Sequence, residues 1–179
     1  MHEFAQFLID EGVFLRGDFT LKSGKKSNFF LNFGNLYRGQ QLQRLGEFFA
    51  QALSGLEATL LFGPAYKGIP LAVATAMASG LPYFSLRKEL KSHGEVSPYL
   101  GATPTAEDKI VLLDDVLTTS ATKLEALEQL RPLSLKAVVV GVDRQEAHPE
   151  GGTWAEHFQT STGIPVISLI RLEDLKACI

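Results

Sequence analysis

From residue 59 onward, short continuous apolar runs alternate with longer segments of helical spacing, and this constrains the fold more than any other feature. The runs are Thr59–Phe62, Pro82–Leu86, Ile110–Leu113, Lys136–Val142 and Pro165–Ile170. They are rich in Leu, Ile and Val and lack the polar alternation of a half-exposed strand, as expected of strands covered on both faces. Between them lie an Ala-rich segment reaching about Ser79, a segment with Leu124, Leu127 and Leu130 at helical spacing, and one carrying Trp154 and Phe158 that stops at Gly163. Strands alternating with helices predict an α/β fold: a mostly parallel twisted sheet flanked by helices.

The first part of the chain reads differently. Phe4, Phe7 and Leu8 predict a short helix ending near Gly12, and two extended pieces follow around Phe19–Leu21 and Phe29–Phe33, separated by the basic turn KSGKKSN. Leu42, Leu45, Phe49 and Leu53 then mark an amphipathic helix. At 179 residues, 45% hydrophobic and 21% charged, the chain suits one globular domain with its own core.

Seventeen Lys and Arg against twenty Asp and Glu leave a net charge of −3, so no global basic field points to nucleic acid. Any anion site must be a local cluster of cations. Cys178 is the only cysteine, which excludes a disulfide framework and a cysteine-built zinc site and fits a reducing compartment. No apolar run approaches the roughly 18–20 residues that span a bilayer, and MHEFAQFLIDEG lacks the basic start and long apolar core of a signal peptide. The expectation is a cytoplasmic protein without membrane contact.

In parallel α/β sheets, ligands bind at the carboxyl ends of the strands. After Phe62 comes GPAYKG; after Leu86, RKELKSHGE; after Leu113, DDVLTTSAT; after Val142, DRQE. The charged chemistry therefore collects at one edge of the predicted sheet.

Each block has a functional and a bland reading. Asp114 and Asp115, adjacent on an extended backbone, point to opposite faces and are poorly placed to chelate one metal ion. They suit the vicinal hydroxyls of a ribose, or a metal held through water. The hydroxyl-rich turn beyond them enters a helix N-terminus, which favours phosphate; equally, Thr118 or Thr119 could simply N-cap that helix. Arg87, Lys88, Lys91 and His93 begin a polar segment running to about Glu107, long for a strand-to-helix connection. It suits closure over a polyphosphate, or is a solvated loop. Gly63 and Gly68 allow close backbone approach beside Lys67, as would an ordinary turn with a surface lysine. Lys22, Lys25 and Lys26 lie near Phe29 and Phe30, which could stack on a flat ring or pack in a core. Arg144 could pair with a carboxylate.

IVLLDDVLTTSAT resembles the phosphoribosyl-pyrophosphate signature of type I phosphoribosyltransferases. Together with FTLKSGKKSNFFLNFG, FGPAYKGIPLA, RKELKSHGE and DRQE in this order, the chain resembles the orotate phosphoribosyltransferase family from about Phe19 to Glu146. The resemblance implies transfer of ribose 5-phosphate from phosphoribosyl pyrophosphate to orotate, with Mg²⁺ required. It implies that Asp114 and Asp115 hold the ribose hydroxyls, that Thr118, Thr119, Ser120, Ala121 and Thr122 cradle the 5′-phosphate, and that Lys67, Arg87, Lys88 and Lys91 bind pyrophosphate, with His93 and Tyr66 alongside. Lys22, Phe29 and Phe30 would line the orotate side and Arg144 would face its carboxylate. Lys91, Asp114 and Asp115 would carry the catalytic roles. It further implies a homodimer sharing its basic loops, and a small hood over about residues 1–38 above a core of about 39–179.

Two segments depart from the family pattern. Ser120 and Ala121 stand where glycine and threonine are usual in the phosphate turn, and Val96-Ser97-Pro98 follows the basic loop where glycines are common. The first departure leaves open a second class: a nucleotide-binding regulatory homologue with weakened catalysis.

Overall fold

A computed structural model describes residues 2–20, 26–87 and 97–178. In chain order they form α1 (Glu3–Asp10), β1 (Phe14–Thr20), β2 (Lys26–Leu31), α2 (Gly39–Ala52), β3 (Leu60–Phe62), α3 (Gly68–Ser79), β4 (Tyr83–Leu86), β5 (Tyr99–Gly101), β6 (Ile110–Leu117), α4 (Ala121–Leu130), β7 (Leu135–Asp143), α5 (Trp154–Thr162), β8 (Val166–Arg171) and α6 (Leu172–Ala177). β1 and β2 pair antiparallel as a separate two-stranded sheet. The other six strands make one sheet in the order β5-β4-β3-β6-β7-β8. Its pairings are parallel except for β5, which runs antiparallel to β4.

The continuous apolar character of β6 and β7 follows from this placement. Successive side chains alternate across the sheet, and both faces are covered. Val111, Leu113 and Val139 join the core with Phe4, Leu45, Phe49 and Leu71, so α1, α2 and α3 lie on that side. Ile110, Leu112, Val138 and Val140 join Ala126, Leu130 and Phe158, so α4 and α5 lie on the other. Helix ends follow sequence cues: Thr153 and Glu156 form a capping box at the start of α5, and Gly163 ends it in the left-handed conformation.

Three expectations change. The long segment after Arg87 carries β5, whose Tyr99 pairs with Leu86, so an edge strand interrupts the expected loop. β6 continues through both acids to Leu117, with Val116 opposite Val142 and Leu117 opposite Asp143; two further apolar residues keep it in register, so Asp114 and Asp115 lie within the strand rather than beyond it. On α4 the inward side is Lys123, Ala126 and Leu130, while Leu124 is 43% exposed. Among the described residues, no helix is long and apolar enough to cross a membrane.

Candidate active site

From β3 the chain moves to β4 on one side, and from β6 to β7 and β8 on the other. The winding reverses between β3 and β6, and a crevice opens at the carboxyl ends of two such strands. The turn after β3 is held tight by its glycines: a Cβ on Gly63 would overlap the Gly68 carbonyl and lie 2.8 Å from the Ala72 Cβ, and one on Gly68 would lie 2.6 Å from the Pro64 Cδ. This close approach brings Lys67, the residue before α3, over the end of β6. Its Nζ lies 3.1 Å from Asp115 Oδ2. The Lys67 side chain is 71% exposed, so this is a charge on the open side of the crevice. Tyr66 beside it is also exposed.

The two acids diverge as extended geometry requires. Asp115 points toward Lys67 and the α3 face, while Asp114 points toward α4, where its Oδ2 accepts from Lys123 Nζ at 2.5 Å. The remaining oxygens also have partners: Asp114 Oδ1 accepts the Asp115 N–H at 3.0 Å, and Asp115 Oδ1 accepts the Val116 N–H at 2.8 Å. Burial pushes the Asp115 carboxyl above its ordinary pKa and the neighbouring Asp114 charge adds to this, while Lys67 opposes both. Burial likewise raises Asp143, at the end of β7.

The turn from β6 into α4 is where the sequence departs from the pattern it resembles. Ser120 has φ −81° and ψ 5°, a conformation open to any residue, so glycine is not demanded there. Ser120 is 1% exposed, and its hydroxyl donates to the Trp154 carbonyl at 3.0 Å, thirty-four positions away. The hydroxyl expected on the phosphate side is thus turned inward as a tether to α5. Its carbonyl takes up the Lys123 and Leu124 N–H groups at 3.0 and 2.9 Å. Thr119, Ala121 and Thr122 are exposed and Thr118 is half-buried. The N–H groups of Ala121 and Thr122 open the helix with no helical carbonyl ahead of them. The turn can still meet an anion with backbone donors and the threonine hydroxyls.

The aromatic pair divides across β2. Phe29 is buried, stacked on Phe14 with centroids 5.7 Å apart, with the Arg144 guanidinium carbon 5.0 Å and Lys176 Nζ 4.6 Å from its centroid. Phe30 faces the other way, 38% exposed, against Phe19. Arg144, expected to meet a ligand carboxylate, lies over Phe29 with its Nε 3.3 Å from Glu146 Oε1, an ion-pair distance without hydrogen-bond geometry. Its backbone N–H donates to the Leu117 carbonyl at 3.0 Å, tying the ends of β7 and β6 together. Arg87 is exposed at the end of β4, its N–H bonded to the Pro98 carbonyl at 2.8 Å. Lys22, Lys88, Lys91, His93 and Val96 lie outside the described residues.

Sequence reasoning missed Lys123. Its Nζ contacts Asp114 and the Val116 carbonyl at 3.0 Å, and the residue is 2% exposed. The available signal was its spacing to Ala126 and Leu130, three and seven positions on, which places it on the buried face; Leu124 drew attention to the neighbouring stripe instead. Lys176 was also missed, and nothing local in the sequence marks it.

Because Asp114 and Asp115 diverge to opposite faces of the sheet, the pair offers no shared chelate for a cation. An ion that keeps several waters and takes most of its ligands from phosphate oxygens fits this arrangement, with Asp115 meeting its water shell. Among the described residues, His148, Glu150 and His157 hold possible ligand atoms within 4.8 Å of one another. Their geometry does not converge: the two imidazoles stack at 3.7 Å and 12°, so their lone pairs lie in near-parallel planes, and His148 Nδ1 already accepts the Glu150 N–H at 3.2 Å.

The chain is 42% identical to the orotate phosphoribosyltransferase of Chromohalobacter salexigens over 98% of its own length and 80% of the relative's. To that of Vibrio cholerae it is 41% identical, over 97% and 85%. A crystal structure of the orotate phosphoribosyltransferase of Francisella tularensis matches with a TM-score of 0.80 and 33% identity, covering 97% of this chain and 87% of that one. No protein-family model matches the sequence.

Proposed function

The chain belongs to the orotate phosphoribosyltransferase family, and on that premise we infer that it transfers the 5-phosphoribosyl group from phosphoribosyl pyrophosphate to orotate, yielding orotidine 5′-monophosphate and pyrophosphate in pyrimidine biosynthesis. The observation that carries the reading is the Asp114-Asp115 pair at the switch point, each acid with its own lysine, one turn ahead of a helix N-terminus. The vicinal diol of a ribose and its 5′-phosphate meet complementary groups there in that order.

In the reaction a ring nitrogen of orotate bonds to C1′ of the ribose as the C1′–O bond to pyrophosphate breaks, and the bonding pair leaves with pyrophosphate. As in glycoside hydrolysis, the centre between them gains oxocarbenium character. Asp115, on the open side, holds ribose hydroxyls and sits near that developing positive charge. Asp114, turned toward α4 and braced by Lys123, holds the neighbouring ribose hydroxyl. Backbone N–H groups at Ala121 and Thr122, with Thr118 and Thr119, receive the 5′-phosphate. Lys67 and Arg87 face the pyrophosphate, with Lys88, Lys91 and His93 of the basic segment added to them, and Tyr66 beside Lys67. Phe29, Phe30, Lys22 and Arg144 form the orotate side. Mg²⁺ is proposed as the cofactor: Asp115 would hold it through its water shell, and it would supply charge neutralisation for the pyrophosphate leaving group.

Residues of about 1–38 are proposed to form a hood over the core. The working unit is proposed to be a cytoplasmic homodimer in which the basic segment of one subunit serves its neighbour's site. Loss of orotate absorbance on mixing with phosphoribosyl pyrophosphate and Mg²⁺ tests the activity; absence of turnover with ribose 5-phosphate binding retained would favour the regulatory alternative. Mixing Lys91→Ala with Asp115→Asn tests the shared site: hybrid dimers should regain part of the activity. No recovery despite demonstrated subunit exchange would remove that part of the proposal.

A further inference from the structure

Lys123 occupies an electrostatically unfavourable place. It stands in the first turn of α4, where the helix dipole opposes a cation, and it is 2% exposed, so its charge has lost most of its hydration. Ala126 and Leu130 on the same face are buried among apolar residues, and an apolar side chain at 123 would continue that face. Buried ion pairs can often be replaced by apolar residues at no cost in stability. Stability alone therefore gives no reason for a lysine here.

Its contacts give another. Nζ accepts nothing and donates to two groups on the far side of the turn, Asp114 Oδ2 and the Val116 carbonyl. The segment from Asp114 to Lys123 is thus closed on itself, strand end to helix start, around the turn of Thr118–Ser120. The Ser120–Trp154 bond holds the outside of the same turn to α5. With no hydroxyl on Ala121, one side-chain donor of the usual phosphate turn is missing, the hydroxyl that Ser120 adds faces inward, and the Lys123–Asp114 pair lies behind the turn instead.

We propose that Lys123 is a positioning residue for phosphoribosyl pyrophosphate: it closes the Asp114–Lys123 segment and holds the Asp114 carboxylate in one orientation beside the 5′-phosphate turn. The proposal rests on the phosphoribosyl-transfer reading of this site. It predicts selectivity, because Lys123 braces the ribose and phosphate end, whereas the orotate side is built from Phe29 and Arg144.

The test compares Lys123→Met with the unaltered enzyme. Expected is a KM for phosphoribosyl pyrophosphate raised about tenfold or more, the range for losing a hydrogen bond to a charged group, with the KM for orotate little changed. Lys123→Gln keeps a donor but drops the charge; it should fall between the two, and it carries the comparison if the methionine variant does not fold. Lys123→Arg keeps the charge and should recover part of the loss. Calorimetric titration with ribose 5-phosphate reads the same site without turnover. If the unaltered protein binds ribose 5-phosphate but does not consume orotate, the activity reading falls while the Lys123 comparison proceeds on binding. Ribose 5-phosphate affinity unchanged in both neutral variants overturns the Lys123 proposal, as does an equal change in both KM values.

Discussion

Lys67 and Asp115 meet across the switch point of the sheet, Nζ to Oδ2 at 3.1 Å, although forty-eight positions separate them. The lysine is solvated and the carboxylate is nearly buried, so the pair is asymmetric: Asp115 needs the contact and Lys67 does not. Substrate pyrophosphate can draw Lys67 away at little cost, because a lysine on a flexible stem exchanges partners readily.

From this asymmetry, Asp115→Asn should lower kcat/KM for phosphoribosyl pyrophosphate by roughly ten- to a hundredfold, the range for losing a charge-assisted hydrogen bond. Orotate-absorbance kinetics measure it. An unchanged kcat/KM would remove Asp115 from the ribose site.

The same carboxyl sets a pH dependence. Its folded pKa is raised, first by burial and then by Asp114, so the folded state holds this proton to higher pH than the unfolded chain does. The associated stability is fully present below the unfolded pKa and is lost as pH rises through the folded one. Asp115→Asn should therefore raise Tm at pH 7 by roughly 2–4 °C, the shift that about 1 kcal/mol produces in a chain of this length. The difference should close as pH falls toward the ordinary aspartate range. Lys67→Ala removes the opposing influence, so the acid limb of kcat/KM should move to higher pH. Thermal melts and pH–rate profiles check both.

Ser120 invites the opposite substitution to the usual one. Because its φ is negative, Ser120→Gly restores the family residue without relieving any strain, and it loses the bond to the Trp154 carbonyl. Expected are a stability loss of about 1 kcal/mol and no gain in affinity for phosphoribosyl pyrophosphate. A tighter-binding glycine variant would show that the turn is limited by backbone approach instead.

Gly63 has no room for a methyl group against Gly68 and Ala72. Gly63→Ala should cost about 1–3 kcal/mol through overpacking and should weaken activity as Lys67 is displaced from Asp115. Denaturant unfolding alongside kinetics would separate the two effects.

Arg144 offers the counterpart to Lys123. Arg144→Gln should raise the KM for orotate by about tenfold or more, as expected for a guanidinium–carboxylate contact, and leave that for phosphoribosyl pyrophosphate nearly unchanged. Glu146→Gln, which releases the guanidinium from its present ion pair, should lower the KM for orotate if that pair competes with substrate.

Much of the sheet was legible because strands covered on both faces must be continuously apolar, as Ile110–Leu113 and Val138–Val140 are, and because Gly163 and Thr153 mark helix ends by local chemistry. β5 was not legible. Tyr99–Gly101 is too short to show a period, and only pairing with Tyr83–Leu86 makes it a strand. The end of β6 was read four residues early, because charge on Asp114 and Asp115 looks like a boundary until the register with β7 is known.

The sequence by itself determined which groups crowd the ligand edge, since backbone alternation and strand-end placement are local consequences of residue order. It also determined that the two acids must diverge, because neighbours on an extended chain point to opposite faces. Tertiary structure alone decided what each acid faces. Lys67, just before α3, and Lys123, in α4, reach them from opposite sides of the sheet, and the Ser120 hydroxyl turns to a carbonyl supplied by α5. These partners depend on how helices pack over the strands, a property of the assembled core that residue order at the turn does not contain.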